Sequence, residues 1–214
     1  GGLDRQPAFG PDIAGWRSSP PVLRAEGVVL REVRVSDAPA LWSLLRAPEV
    51  TRFISTPPGT IEGFERFIEG SQRWRAAGEG GCFAVTFDGS DSAIGIFQVR
   101  HTGSSVAPLG QHASLETAEW GFAIGLPYWG AGVFRRGAPL LIDFAFEELG
   151  VQRLEARVAT PNARGNSALR TVGAVPEGIL RNALLCDEGR VDQVLYTLQA
   201  SDWQVQRAYL SGGA

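Results

Sequence analysis

Lysine and methionine are absent from the 214 residues, and only two cysteines and two histidines are present. All 20 basic side chains are therefore arginines, a bias that a G+C-rich genome imposes without any functional cause. Without Met, the sequence as it stands lacks an initiator. Cys82 and Cys186 fall far apart in strand-like runs. They are expected to be reduced, buried small hydrophobes rather than a disulfide. The two histidines and two cysteines show no metal-ligand spacing, so no metal is expected. No run approaches the roughly 18 to 20 apolar residues of a membrane span. No charged start followed by a short apolar core marks a secretion signal. A cytoplasmic location without a membrane partner is the expectation. The net charge of −3 supplies no general attraction to nucleic acid.

What is present suits one ordinary soluble domain: 44% hydrophobic and 20% charged residues. Residues 1–21 are rich in Gly and Pro without periodicity and read as a flexible arm, with Phe9 and Trp16 as its contacts to the body. The body runs over residues 22–203, and residues 204–214 read as a tail. Val28 to Val35 reads as a strand. Ser36-Asp37 caps a helix with Leu41, Leu44 and Leu45 on one face, and Pro48 closes it. A second amphipathic helix, Ile61 to Ala77, carries Phe64, Phe67, Ile68 and Trp74. Two strands, Cys82 to Phe87 and Ala93 to Val99, flank a turn at Asp88-Gly89-Ser90-Asp91. A Gly/Ser-rich loop from His101 to Leu115 follows, with His101 and His112 read as solvated, and then a strand from Glu116 to Ile124. A helix to Leu149, a strand at Arg153 to Ala159, a short helix in Pro161 to Val172 and a closing hairpin across Asp187-Glu188-Gly189 complete the chain. The order is β-α-α-β-β-β-α-β-α-β-β. It predicts an α+β fold with a mixed, mostly antiparallel sheet of six or seven strands and about four helices.

The chemistry concentrates between Glu119 and Arg136. Glu119 to Ile124 mixes aromatic and β-branched residues suited to a strand, and Gly125 and Pro127 end it. Gly130 and Gly132 then bare backbone N–H groups just before a helix. Such a loop is an anion site, because orphan N–H groups and the helix dipole point at one spot. A phosphate-bearing cofactor is the natural guest. Two features constrain the loop. The Phe134 ring must point away from any phosphate, and Pro139 inside the helix predicts a kink or a late helix start.

Trp129-Gly130-Ala131-Gly132-Val133-Phe134 resembles the acetyl-CoA pyrophosphate loop of the GNAT N-acetyltransferases. The Tyr-Trp-Gly-x-Gly form is similar to the branch of bacterial ribosomal-protein N-terminal acetyltransferases (RimJ/RimL-like). The likeness extends over about Val22 to Trp203. It implies that acetyl-CoA is held by the backbone of Trp129, Gly130, Ala131, Gly132, Val133 and Phe134, with charge from Arg135 and Arg136. It implies that the strands bearing Glu119 and Glu155 separate to admit the pantetheine arm. N–H groups of Phe122, Ala123 and Ile124 would then face the thioester. Glu119 is the candidate general base, since burial in an apolar cleft moves a carboxylate toward the range useful for proton abstraction, with a surface or salt-bridged glutamate as the alternative. Glu155 is its rival and Glu116 a third.

The stretch from Asn162 to Ala174 is similar to the family segment after the fifth strand. Asn162 would bond the pantetheine, and Asn166 would lie near the thiol. Loop capping is the plainer role for both. Leu169 and Gly165 stand where relatives usually carry Tyr and Ser; the adjacent Ser167 is the candidate acid, with a plain helix-surface serine as the favoured alternative. Asp192 matches the hairpin Asp near the acceptor channel, with a turn contact as the equal alternative. Trp42 and Phe53, with Trp74 and Tyr128, are candidates for an acceptor cleft, although aromatics at helical spacing are more often core. The implied partners are an acyl donor and an amine acceptor, a peptide N-terminus or a small molecule. A homodimer is compatible with this branch. A binding module for acyl-CoA without turnover stays open as the alternative.

Overall fold

The computed structural model describes residues 15–102 and 117–212. Phe9, His112, Glu116 and most of the Gly/Ser-rich loop lie outside them. One sheet of eight strands forms from β1 (Leu23–Ala25), β2 (Val28–Glu32), β3 (Gly80–Phe87), β4 (Gly95–His101), β5 (Thr117–Ile124), β6 (Arg153–Ala159), β7 (Val175–Cys186) and β8 (Gly189–Gln199). Their spatial order is β1-β2-β3-β4-β5-β6-β8-β7. The expected class and mixed sheet are observed. The count is eight rather than six or seven because the three residues of β1 turn back at Gly27 and pair with β2. A run that short carries no alternation that could be read.

Six α-helices are described: α1 (Ala38–Leu45), α2 (Pro48–Thr51), α3 (Ile61–Ala76), α4 (Val133–Asp143), α5 (Ala163–Thr171) and α6 (Ala200–Gly212). The expected four are α1, α3, α4 and α5. α2 is a single turn that starts on Pro48, where the missing N–H costs nothing. α6 takes up residues expected as a tail. It is pinned by Trp203, buried and donating from Nε1 to Asp143 Oδ1 at 2.8 Å. Pro139 neither delays nor ends α4, which begins at Val133. The irregularity comes one turn later, as a π-helical segment at Phe144–Glu148.

Strand alternation divides the core. Leu30, Phe83, Phe97, Val99, Trp120, Leu154 and Tyr196 face α4 and its π segment, α5 and α6. Cys82, Ala84, Ile96 and Ala123 face α1 and α3. Trp16 enters the first cluster, 5% exposed, and meets Phe144 edge-on at 5.7 Å. The segment read as an arm thus contributes a core residue at its far end. Cys82 and Cys186 are free and buried, and burial pushes the Cys82 thiol up to about 12. His101 ends β4 half-buried rather than solvated, and burial holds its imidazole below its usual value.

Candidate active site

Where β5 and β6 run side by side they are parallel, and they pair over three positions only: Thr117 with Arg153, Ala118 with Leu154, Glu119 with Glu155. β5 continues along β4 to Ile124, and β6 continues along β8 to Ala159. Each strand therefore leaves one edge without a strand partner beyond the two glutamates, its far carbonyls at Ile124 and Ala159 being capped by Trp129 and by Asn162 and Asn166. Which groups line that fork follows from parity, because antiparallel neighbours bond at alternate residues. The Thr117 carbonyl accepts from Thr102 N, and Gly125 N donates to the Ile94 carbonyl. Odd-numbered residues of β5 thus serve β4, and the N–H and C=O of Trp120, Phe122 and Ile124 turn toward β6. Thr160 N donates to the Asp192 carbonyl. Even-numbered residues of β6 thus serve β8, and the backbone of Arg157 and Ala159 faces β5. Ala123 falls on the β4 side and packs its methyl toward α1 and α3, away from the fork.

The fork runs into the glycine loop. Gly130 and Gly132 adopt φ of +77° and +75°, which only glycine takes without strain. N–H groups of Trp129 and Ala131 donate to the Leu126 and Tyr128 carbonyls, so these two are committed to the turn. Those of Gly130 and Gly132 find no acceptor among the described residues, and Val133, Phe134 and Arg135 occupy the first helical turn, where no intrahelical acceptor exists. Five donors thus gather at one helix N-terminus. The Phe134 ring stays out of the cradle: its centroid lies 4.5 Å from Phe122 and 6.3 Å from both Trp120 and Phe97.

Two arginines expected to act alike separate here. Arg135 is exposed and carries no ion pair among the described residues. Arg136 folds back on the loop, donating to the Ala131 carbonyl, to the Gly132 carbonyl at 3.2 Å and to the Glu26 carbonyl at 3.2 Å. A Cβ at residue 27 would lie 2.3 Å from Arg136 Nη1, which accounts for Gly27 in the β1–β2 turn. By drawing the carbonyls to one side, Arg136 leaves the amides on the other. Its role as a staple was not readable from sequence, since its partners are backbone atoms.

Glu119 projects from the face opposite α4, with its side chain 45% exposed and Arg157 3.8 Å away. The surroundings are polar and open rather than the apolar cleft anticipated, because Arg157 of the neighbouring strand shares the same exposed face. Glu155 is 19% exposed and tied to Arg153 at 3.4 Å, which also grips Glu177. The Arg153 and Thr197 hydrogen bonds hold the Glu177 carboxyl below its ordinary range.

Other candidates prove to be structural in their visible contacts. Asn162 caps α5, its Oδ1 accepting from Gly165 N at 3.0 Å. Asn166 donates from Nδ2 to the Ala159 and Asn162 carbonyls and accepts from Tyr196 Oη at 2.7 Å, so its amide is fully engaged. A Cβ at Gly165 would lie 2.8 Å from Val158 Cγ1, so α5 sits too close to β6 for a serine there. Leu169 is buried beneath α5, and Ser167 is exposed on the helix's outer side. Asp192 Oδ1 accepts from Asn182 N at 2.8 Å and fixes a bulge in β7. Trp42 donates to the Gly59 carbonyl at 3.1 Å and stacks under Arg46. Phe53 packs with Ala159, Leu184, Cys186 and Val191, and beside it Arg52 and Thr51 hold Glu188 and Asp187 at the β7–β8 tip. The structure thus places Glu119 at the head of the fork between β5 and β6, with the glycine loop following β5, and Ser167 exposed on α5.

Residues 28–175 match the family model described as Acetyltransferase (GNAT) domain. The chain belongs to the GNAT acetyltransferase family. It is accordingly an N-acetyltransferase, and acetyl-CoA is the donor that this family uses. An uncharacterized N-acetyltransferase, p20 of Bacillus licheniformis, is 24% identical over 177 residues, covering 82% of this chain and 94% of that protein. RimJ of Mycobacterium smegmatis, solved with a CoA disulfide, superposes with a TM-score of 0.74 at 21% identity, over 90% of this chain and 93% of that one. Ribosomal-protein-S5-alanine acetyltransferase of Vibrio fischeri superposes at 0.71 and 19% identity, over 86% and 98%. At such identities these two structures speak for the fold. No described helix is long and apolar enough to cross a membrane.

The residues present fit the coenzyme. A diphosphate needs several donors at one point, and five unclaimed amides converge at the start of α4. A pantetheine arm with its amides needs a strand-like edge, and the fork offers two.

Proposed function

We propose that the chain acetylates a primary amine, with Gly130, Gly132, Val133, Phe134 and Arg135 amides holding the donor's diphosphate and the amine approaching past Glu119. The observation that carries this reading is the fork itself. Its edges, free of a strand partner, lead from the acceptor-free amides of the loop to Glu119 and no further. Bound acetyl-CoA supplies an acyl thioester that a neutral amine attacks directly, with a thiolate as leaving group. Trp120, Phe122 and Ile124 present backbone groups along the path, and an N–H among them would polarise the carbonyl under attack. Glu119 accepts the proton that the amine must lose, directly or through water. It is better placed than Glu155, which Arg153 occupies.

The chemistry of the step bears on the acceptor. Only a neutral amine attacks the thioester, and an α-amino group, with a pKa of about 7.7 to 8.0, is neutral near pH 7 to a far greater extent than a lysine side chain at about 10.4. This supports a peptide N-terminus or a small α-amine as acceptor. On the thiol side α5 offers no acid, since Leu169 is buried and Ser167 faces out. A thiolate leaves readily and can take its proton from water.

The same absence of an acid favours a second reading, a module that binds acyl-CoA without turnover. A thiol-release assay with acetyl-CoA and a panel of peptides and amines separates the two. Release that depends on an α-amine is expected. Tight coenzyme binding without release over any acceptor would establish the binding module instead.

A further inference from the structure

The fork between β5 and β6 is closed again at its open end by a side-chain contact. Five residues after β5 ends comes Trp129, and five residues after β6 ends comes Arg164, in the first turn of α5. The Arg164 guanidinium carbon stands 3.9 Å from the Trp129 ring centroid, a close cation–π stack between the two sides of the slot. The halves differ in how they are held. The indole is fixed, donating from Nε1 to the Ile124 carbonyl at 2.8 Å and packing toward α1 and α3. That carbonyl belongs to the row facing the fork, so the ring stands at its rim. Arg164 is exposed and makes no hydrogen bond or ion pair among the described residues, so the stack alone holds it.

We propose that Arg164 and Trp129 form a clasp across the coenzyme slot, with Arg164 as its moving arm. The inference rests on the reading of the fork as the coenzyme site. A chain lying between the β5 and β6 edges with its diphosphate on the Gly130–Gly132 loop must pass the line joining these side chains. The stack therefore parts for the coenzyme to come in. Shut behind it, the clasp sets a guanidinium beside a dianionic diphosphate, where charge-assisted hydrogen bonds add to the stack. The clasp acts on the residence time of the coenzyme and takes no part in the chemical step. Neutral or absent arms let it leave faster.

Etheno-coenzyme A, fluorescent at its adenine, chased from the full chain by excess coenzyme A in a stopped-flow instrument, reads that rate directly. Arg164→Gln, at an exposed position, is expected to speed release about tenfold, and Trp129→Leu by a similar factor. Partners in one clasp are not additive, so the double variant should release no more than about twofold faster than either single one. If Trp129→Leu does not melt cooperatively, Trp129→Met takes its place with the same expectation, since it too lacks the aromatic face and the bond to the Ile124 carbonyl. Release at the wild-type rate from either single variant overturns the clasp. So does a double variant whose rate is the product of the single effects. Failure of the wild-type chain to bind the probe would remove the site reading and the clasp together, an outcome distinct from both.

Discussion

Replacing Arg136 by Ala tests whether the glycine loop is shaped before the coenzyme arrives. The guanidinium reaches three carbonyls, two in the loop and one in the β1–β2 turn. Each bond exchanges with water on loss, for a net of about 1 kcal/mol. The Gly132 carbonyl keeps the Arg136 amide as a partner at 3.2 Å, and the freed Ala131 and Glu26 carbonyls lie where water can reach them. Global stability should therefore fall by about 1–2 kcal/mol, less than the sum of three bonds. The larger effect falls on binding. Without the staple, Gly130 to Gly132 must be ordered by the ligand, and fixing a residue costs about 1–2 kcal/mol. A loss of about 1.4–2.8 kcal/mol corresponds to a 10- to 100-fold rise in Kd. Titration calorimetry with coenzyme A and urea unfolding measure the two quantities separately. Arg135→Ala is the control for charge: it should weaken binding without lowering stability. A Kd for Arg136→Ala within about twofold of wild type would refute the idea that this side chain orients the amides.

Three further outcomes are expected. Glu119→Gln should lower kcat by about 10²-fold or more while leaving coenzyme affinity unchanged, and equal turnover would shift the role of base to Glu155. Trp16→Ala empties a core position and should cost about 3–5 kcal/mol. At 2–4 °C per kcal/mol for a chain of this size, the melting temperature should drop by about 10 °C. A drop of only a degree or two would show that Trp16 is dispensable. Burial depresses His101, so the unfolded chain binds its proton first as pH falls. The contribution of the neutral imidazole is then complete above its ordinary value of about 6.5 and is lost as pH falls from there through the folded value. Urea midpoints at pH 7.5 and 5 should converge in His101→Gln relative to wild type, and an unchanged difference would place that pH dependence elsewhere.

Much of the architecture was legible because it follows from periodicity and punctuation. Leu41 and Leu45, Phe64 and Ile68, and the glycines at 125, 130 and 132 mark elements by rules that act within a few residues. The parts that were not legible depend on contacts remote in sequence. β1 is too short to show a pattern, and its existence rests on pairing with β2. Trp16 joins the core through Phe144, 128 positions away. α6 reads as a tail because its apolar residues are scattered, with Val205 and Tyr209 exposed. In the site, the turn glycines announce the loop, but nothing local distinguishes Arg136 from Arg135. Asn166 looks like a ligand until Tyr196 claims its oxygen. The polar setting of Glu119 comes from Arg157 on the neighbouring strand, which alternation places on its face without saying how near.

The short seam between β5 and β6 makes the molecule resemble a book with a narrow spine. On one cover lie β1 to β5, on the other β6, β8 and β7; within the sheet three residue pairs join them, and the core beneath α4 and α5 backs both. The outer corners are tied by Arg52 to Glu188 and Thr51 to Asp187. A small rotation about that spine would change the gap at the page edges far more than at the binding, so substitutions at the outer corners should be felt in the grip on a molecule they never touch.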